Sequence, residues 1–254
     1  MKRIFIMSLI ALLLVPQGLF AVSRDDFDPN FIISDEELTY WQSMDLPAIQ
    51  RFLDSKGGYI ADLEIEDTDG TVKSTAEIIY DTAKKYKINP KYLIVKLQKE
   101  QSLVTDKDPT QKQLDWATGY AVCDSCAMDD PRIQKFKGFG NQVDYAAGIM
   151  RWYYDNVDEQ QFIRRPGVTY SISGQSVRPA NLATGFLYTY TPHILGNQNF
   201  WLLWNRWFQS RYPNGTLIQG ETNEKVYLLE DGKRRPFENY TALITRYDPK
   251  FIVT

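Results

Sequence analysis

The stretch "INPKYLIVKLQKEQSLV", residues 88–104, decides the fold class of this 254-residue chain. Asn89 can accept a hydrogen bond from a free backbone N–H at a helix start, and Pro90 suits the first helical position. Apolar residues then recur at helical spacing, so the stretch predicts an amphipathic helix that starts at Pro90. The same signals recur along most of the chain, which predicts a mainly α protein.

Glu100 lies at an unusual position on this predicted helix. At ~100° per residue it falls at the edge of a narrow apolar sector, whereas Lys96 and Lys99 fall on the polar side. The sector consists of Leu93, Leu97 and Val104. Glu100 is therefore either a boundary residue that pairs with Lys96, or a carboxyl group against apolar walls. In the second case burial raises its pKa and keeps it protonated near neutral pH, as a general acid requires.

Other helices are predicted from caps and periodicity. Ser34 caps the first of them, and Ser74 with Glu77 forms a capping box. The predicted ranges are 35–44, 46–58, 74–85, 111–118, 142–156, 181–187 and 199–209. Residues 164–178 alternate turn and apolar residues, which indicates a loop or hairpin. Three tryptophans share one face of the last helix, which favours a core role: Trp201, Trp204 and Trp207.

The composition changes near Tyr212. "KVYLLEDGKRRPF" reads as two strands joined by an Asp-Gly turn. We therefore expect a signal peptide at 1–22, a helical domain at 23–212, and a small, incomplete β module at 213–254.

The first residues are typical of a secretion signal. Lys2 and Arg3 precede an apolar run over 4–14, and small residues permit cleavage after Ala21 or Ser23. An uncleaved membrane anchor is the alternative. Loss of the two basic residues takes the net charge from −3 to −5, which argues against a nucleic-acid partner. The expected location is secreted or at the cell surface.

The two cysteines, Cys123 and Cys126, form a CxxC pair. Outside the cytosol such a pair favours a disulfide, while a redox motif is the alternative. A zinc site would need further ligands, and His193 is the only histidine. We therefore expect no metal and no cofactor.

Four further motifs carry a resemblance: "TGYAVCDSC", "FGNQVDYAAGIMRWYYDN", "ATGFLYTYTPH" and "GNQNFWLLWNRWF". Together with residues 88–104 they resemble the secreted lysozyme-like domains related to lytic transglycosylases and glucosaminidases. The similarity covers roughly Lys73 to Phe208. Two departures are Gln101, where the family usually has serine, and "GYAV" in place of a "GLMQ"-type string. The tail resembles a short β repeat of cell-surface proteins.

The resemblance implies cleavage of the β-1,4 bond of peptidoglycan by a single acid. Glu100 protonates the leaving oxygen and then accepts a proton from the 6-hydroxyl of the sugar, while Tyr188 or Tyr190 stabilises the charge on the ring. Core packing is the alternative for these tyrosines, and helix capping is the alternative for Asn141 and Gln142. The implied substrate-binding residues are Gln101, Gly119, Tyr120, Gln142, Tyr188 and Tyr190.

Two other functions remain open from the sequence. A non-catalytic cell-wall glycan-binding or adhesion protein would bind sacculi without cleaving them. A thiol oxidoreductase would require a free, low-pKa thiol at Cys123. Hydrolysis and transglycosylation are likewise not distinguished.

Overall fold

A computed structural model describes residues 22–122, 129–209, 215–220, 224–230 and 233–253. Residues 1–21 of the predicted signal segment, the cysteine pair Cys123 and Cys126, and the Asp-Gly turn at 231–232 lie outside the described residues. Both cysteine interpretations therefore stay predictions. Within the described part of the chain, no helix is long and apolar enough to cross a membrane.

The protein is mainly α, as the sequence predicts. The first five helices of the described chain are α1 (Asp35–Thr39), α2 (Leu46–Lys56), α3 (Thr75–Tyr86), α4 (Pro90–Gln101) and α5 (Gln111–Asp115). The others are α6 (Pro131–Gln134), α7 (Phe139–Asn156), α8 (Leu182–Tyr190), α9 (Ile194–Phe208) and α10 (Tyr240–Ile244). The predicted caps at Ser34, Ser74 and Asn89 are confirmed, because each side chain accepts a hydrogen bond from the first helical turn.

The strands form three small sheets. They are β1 (Glu64–Glu66), β2 (Val72–Ser74), β3 (Tyr170–Ile172), β4 (Gln175–Val177), β5 (Leu217–Gln219), β6 (Val226–Glu230), β7 (Lys233–Pro236) and β8 (Ile252–Val253). β1 with β2 and β3 with β4 are antiparallel hairpins, and the C-terminal sheet has the order β7-β6-β5-β8. The β6–β7 hairpin and the hairpin within 164–178 confirm two sequence predictions.

The described residues fall into two compact units, 22–209 and 215–253. Helix α4 lies in the centre of the first unit, where it contacts α3, α7 and α9. Its residues Tyr92, Leu93 and Leu97 are fully buried, and Trp201 and Trp204 of α9 belong to the same core. This packing holds the carboxyl end of α4, and with it Glu100, in a fixed position.

The first helix ends at Thr39 rather than 44, α5 ends at Asp115 rather than 118, and α8 extends to Tyr190 rather than 187. The starts of two helices also differ from prediction by three residues or more. Helix α7 begins at Phe139 rather than 142, because Gly138 adopts φ 103° and provides the turn into the helix. Helix α9 begins at Ile194 rather than 199. The Asn197 amide explains this, because it donates to the carbonyls of Thr191 and His193 at 2.7 and 3.1 Å and stabilises the first turn.

The β1–β2 hairpin was not predicted. Its strands have three residues each and are largely exposed, so they lack the apolar alternation by which strands are recognised. The intervening segment, which the sequence marks as turn-rich, closes with a 2.8 Å hydrogen bond from the Asp67 N–H to the Thr71 carbonyl.

Candidate functional site

The end of α4 places Glu100 at the protein surface. Ser102 adopts the left-handed conformation, with φ 60°, and its N–H closes the helix on the carbonyls of Gln98 and Leu97. The chain therefore turns away immediately after Gln101. The Glu100 side chain remains 25% exposed, although the apolar residues of its helix are buried.

Two lysines of the same helix hold the Glu100 carboxylate. The ammonium groups of Lys96 and Lys99 each donate to Oε1 at 2.7 Å. Their side chains are only 3% and 11% exposed, so both charges are largely removed from water. The sequence prediction that these lysines lie on a polar face is wrong, because α9 and Tyr190 of α8 pack against that face.

The lysines determine the protonation of Glu100. Burial raises the pKa of the carboxyl, but the charges of Lys96 and Lys99 and their hydrogen bonds outweigh it and lower the pKa to about 2. The expectation of a protonated Glu100 at neutral pH is therefore wrong. Burial in turn lowers the pKa of both lysines, against the opposing effect of the carboxylate.

Glu100 lines a surface cleft of about 460 Å³, which we call the Glu100 cleft. Its lining residues are Glu100, Gln101, Lys112, Gln113, Trp116, Gly119 and Val122. The structure thus brings the predicted residues Gln101 and Gly119 together with Glu100. Gly119 has φ +67°, and a Cβ there would lie 3.7 Å from Oε2 of Glu100, so the loop backbone faces the carboxylate directly.

Gln142 positions the loop opposite Glu100. It is fully buried, and its side-chain oxygen accepts from the N–H groups of Thr118 and Tyr120 at 3.3 and 2.9 Å. Its amide nitrogen donates to the carbonyls of Tyr120 and Phe136 at 3.1 and 2.8 Å. These bonds occupy both the oxygen and the nitrogen of the Gln142 side-chain amide. The prediction that Gln142 contacts substrate is therefore corrected to a positioning role.

Four half-buried aromatic residues lie beside the ion cluster. This tyrosine patch consists of Tyr120, Phe136, Tyr145 and Tyr190. Tyr120 stacks on Tyr145 at a centroid distance of 5.1 Å and lies 6.4 Å from Tyr190. The Tyr190 ring in turn lies 4.0 Å from Nζ of Lys96. The predicted residues Tyr120 and Tyr190 are thus adjacent to the charges around Glu100.

Two other predictions about individual residues are corrected. Tyr188 is fully buried, and its hydroxyl makes no hydrogen bond within the described residues, so it belongs to the core rather than to a ligand surface. Asn141 does not cap α7, because it lies inside the helix and its amide donates to the Lys137 carbonyl at 2.8 Å.

Comparison with known proteins identifies the family. The family model described as "LasA, N-terminal domain" matches residues 31–215. This chain belongs to the LasA N-terminal domain family. No curated protein and no solved structure matches the chain.

LasA is a staphylolytic peptidase, and its family is secreted. Membership of the LasA N-terminal domain family associates this chain with secreted, cell-wall-related proteins. The comparison supports no lysozyme-like or lytic transglycosylase family, so the activity implied by that resemblance stays a proposal.

The sequence alone missed the residues that set the chemistry of the site in this LasA-type domain. Lys96, Lys99 and Tyr145 were not site candidates, yet they surround Glu100 or extend its aromatic neighbourhood. One signal was available, namely two lysines within four residues of a single glutamate. Across the described residues, no group of three or more His, Cys, Asp or Glu side chains could hold a metal ion.

Proposed function

We propose that the Glu100 cleft binds the glycan strands of peptidoglycan. The observation that carries this proposal is the tyrosine patch beside a fixed, charged cluster. Aromatic faces bind the apolar faces of sugar rings, and charged groups next to them bind the polar substituents. The family supports a cell-wall partner.

The side chains in the cleft also suit a glycan. Gln101 lines it, and its amide can donate and accept hydrogen bonds with hydroxyl and acetamido groups. The Gln101 amide is held by a 3.3 Å hydrogen bond to the Trp116 carbonyl, and Gln113 donates to the Gln101 carbonyl at 3.1 Å. The polar groups are therefore fixed before a ligand arrives, which lowers the entropic cost of binding.

Cleavage of the β-1,4 bond, with Glu100 as the catalytic carboxylate, is the second candidate. One observation favours it: Glu100 is largely shielded from water yet lines the cleft. Because its pKa is about 2, Glu100 would act first as a carboxylate that stabilises the positive charge of an oxocarbenium-like transition state. The C1–O bond would break as the leaving oxygen takes a proton from Lys99, whose pKa is lowered by burial. Water or the 6-hydroxyl of the same sugar would then bond to C1 and return a proton to Lys99.

One experiment tests both candidates. Purified sacculi are incubated with the protein and sedimented, and bound protein and released sugars are measured. We expect Tyr120→Ala to weaken binding about two- to ten-fold, since an aromatic contact contributes about 0.5–1.5 kcal/mol. Tyr40→Ala is the matched control. It removes an exposed aromatic ring at the carboxyl end of α1, outside the tyrosine patch, and should bind sacculi as the wild type does.

The outcomes separate the candidates. Failure of the wild type to sediment with sacculi, or unchanged binding by Tyr120→Ala, would contradict the glycan-binding proposal. Mass spectrometry of the soluble fraction decides cleavage. Anhydro sugars indicate a transglycosylase, new reducing ends indicate a hydrolase, and no released sugar indicates binding alone.

A further inference from the structure

The ion cluster beside the Glu100 cleft, formed by Glu100 of the cleft wall with Lys96 and Lys99, has an excess positive charge. Lys96 and Lys99 share one oxygen of one carboxylate, and neither has a second carboxylate within 4.0 Å among the described residues. The side chains of Lys96 and Lys99 are only 3% and 11% exposed. Buried charge is costly unless it is paired, so one positive charge in this cluster lacks an anionic partner.

The start of α9 adds to this excess. A Cβ atom on Gly196, in the first turn of α9, would lie 4.0 Å from Nζ of Lys99. The residue that precedes the helix, His193, provides no side-chain cap. A helix N-terminus carries partial positive charge and favours anions, so an ammonium group beside it is unfavourable until an anion arrives.

The aromatic and cationic parts of the site are neighbours. Tyr190 contacts Lys96 with its ring face, and Tyr120 and Tyr145 continue the patch away from the charges. A ligand that satisfies both parts has a ring for the tyrosines and a negative group within a few ångströms of that ring. Within a peptidoglycan glycan strand, this requirement is met by the sugar that carries a carboxylate on the sugar itself.

We propose that the Glu100 cleft selects peptidoglycan strands through the free lactyl carboxylate of muramic acid, and therefore prefers peptide-free glycan. This inference rests on the proposed glycan binding and specifies its substrate. The lactyl carboxylate lies directly beside the sugar ring, whereas in peptide-bearing strands that group is an amide and the remaining carboxylates lie further along the peptide. The stem-peptide carboxylate is the competing source of the anion.

Calorimetry with three tetrasaccharides of equal length tests the preference. One is an uncharged N-acetylglucosamine oligomer, one alternates N-acetylglucosamine with peptide-free muramic acid, and one carries stem peptides. We expect the peptide-free muramic acid ligand to bind about ten-fold or more tightly than either of the others, with an affinity that falls as salt is added. The uncharged oligomer should show no salt dependence.

Two variants test whether Lys99 is responsible for the preference for peptide-free muramic acid. Lys99→Met leaves a neutral Lys96–Glu100 pair, so it should remove the preference, and the three ligands should then bind with affinities within about two-fold of one another. Lys84→Met, which removes an exposed lysine of α3, should keep the preference. Lys99→Gln serves if the methionine variant does not fold.

Three results would overturn the inference. Equal affinities for all three ligands would refute the selection and leave glycan binding intact. Tighter binding of the peptide-bearing ligand would assign the anion to the stem peptide. Absence of binding to any ligand would refute the proposed function as well.

Discussion

At the scale of single residues, the chemistry of Glu100 depends on two neighbours rather than on burial alone. Its position at the edge of the apolar face is what the helical wheel predicts. Its ionisation is the reverse of the expectation, because Lys96 and Lys99 each place an ammonium group 2.7 Å from the same oxygen. Opposite charges at this distance outweigh desolvation, so the carboxylate stays charged.

Glu100→Gln should destabilise the protein by about 3 kcal/mol at pH 7, because it leaves two largely buried lysines without a charged partner. The difference in the free energy of unfolding between Glu100→Gln and the wild type should become smaller as the pH falls. The folded-state pKa of Glu100 is lowered from 4.5 to about 2, so its contribution is present above pH 4.5 and is lost as the pH falls towards 2. Denaturant unfolding at pH 7, 4 and 2.5 measures this.

Glu36→Gln is the control for this measurement. Glu36 is exposed on α1 and makes no ion pair among the described residues, so its loss should change the free energy of unfolding by less than about 0.5 kcal/mol. If Glu100→Gln were as stable as Glu36→Gln at pH 7, the buried ion cluster would not exist in solution.

At the scale of elements, local signals predicted the helices well where side-chain caps mark them. Ser34, Ser74 and Asn89 lie at the predicted starts, and Gly57 ends α2 in the left-handed conformation. Prediction failed where a boundary depends on backbone conformation, as at Gly138, or on a side chain inside the first turn, as for α9. Neither the backbone conformation of Gly138 nor the Asn197 hydrogen bonds in the first turn of α9 produce a distinctive local sequence pattern.

Ser102→Gly should stabilise the protein by about 0.5–1 kcal/mol. Ser102 ends α4 at φ 60°, a conformation that costs energy for a residue with a Cβ but not for glycine. Its side chain is exposed, so little packing is lost. Ser55→Gly, in the last turn of α2, should have the opposite effect, because Ser55 has helical backbone conformation, in which glycine is less favourable than serine. Thermal melting of both variants checks the sign at each position, and a destabilised Ser102→Gly would contradict the cap geometry.

At the scale of the whole molecule, the site is assembled from distant parts of the sequence. Helix α4 provides the ion cluster, residues 116–122 provide the opposite wall, α7 provides Tyr145 and α8 provides Tyr190. Single motifs suggested Glu100, Gln101, Gly119, Tyr120 and Tyr190 as candidates, and the structure places these five residues near one another. The burial of Lys96 and Lys99 was not predictable, because it depends on helices about 90 residues later that cover one face of α4.

The first unit contains all the parts that the site requires. Every residue of its hydrophobic core lies between Val22 and Phe208, and the family model matches 31–215. The C-terminal unit has separate buried residues, Leu217 and Leu243, on its own elements. We therefore propose that residues 23–209 fold independently and carry the glycan-binding activity.

A fragment of residues 23–209 should melt cooperatively within about 3 °C of the corresponding transition of the longer chain, because it keeps every fully buried residue of the core and loses only the partly buried Val22. It should also bind sacculi with the affinity of the longer chain, since the Glu100 cleft and the tyrosine patch are retained. Circular dichroism and sedimentation with sacculi provide the two measurements.

A fragment carrying Tyr120→Ala controls for non-specific adsorption and should lose binding as the longer variant does. Loss of cooperative melting would place part of the folding core after residue 209. A folded fragment that no longer sediments would instead assign wall binding to the C-terminal unit, since the cleft would then be intact but insufficient.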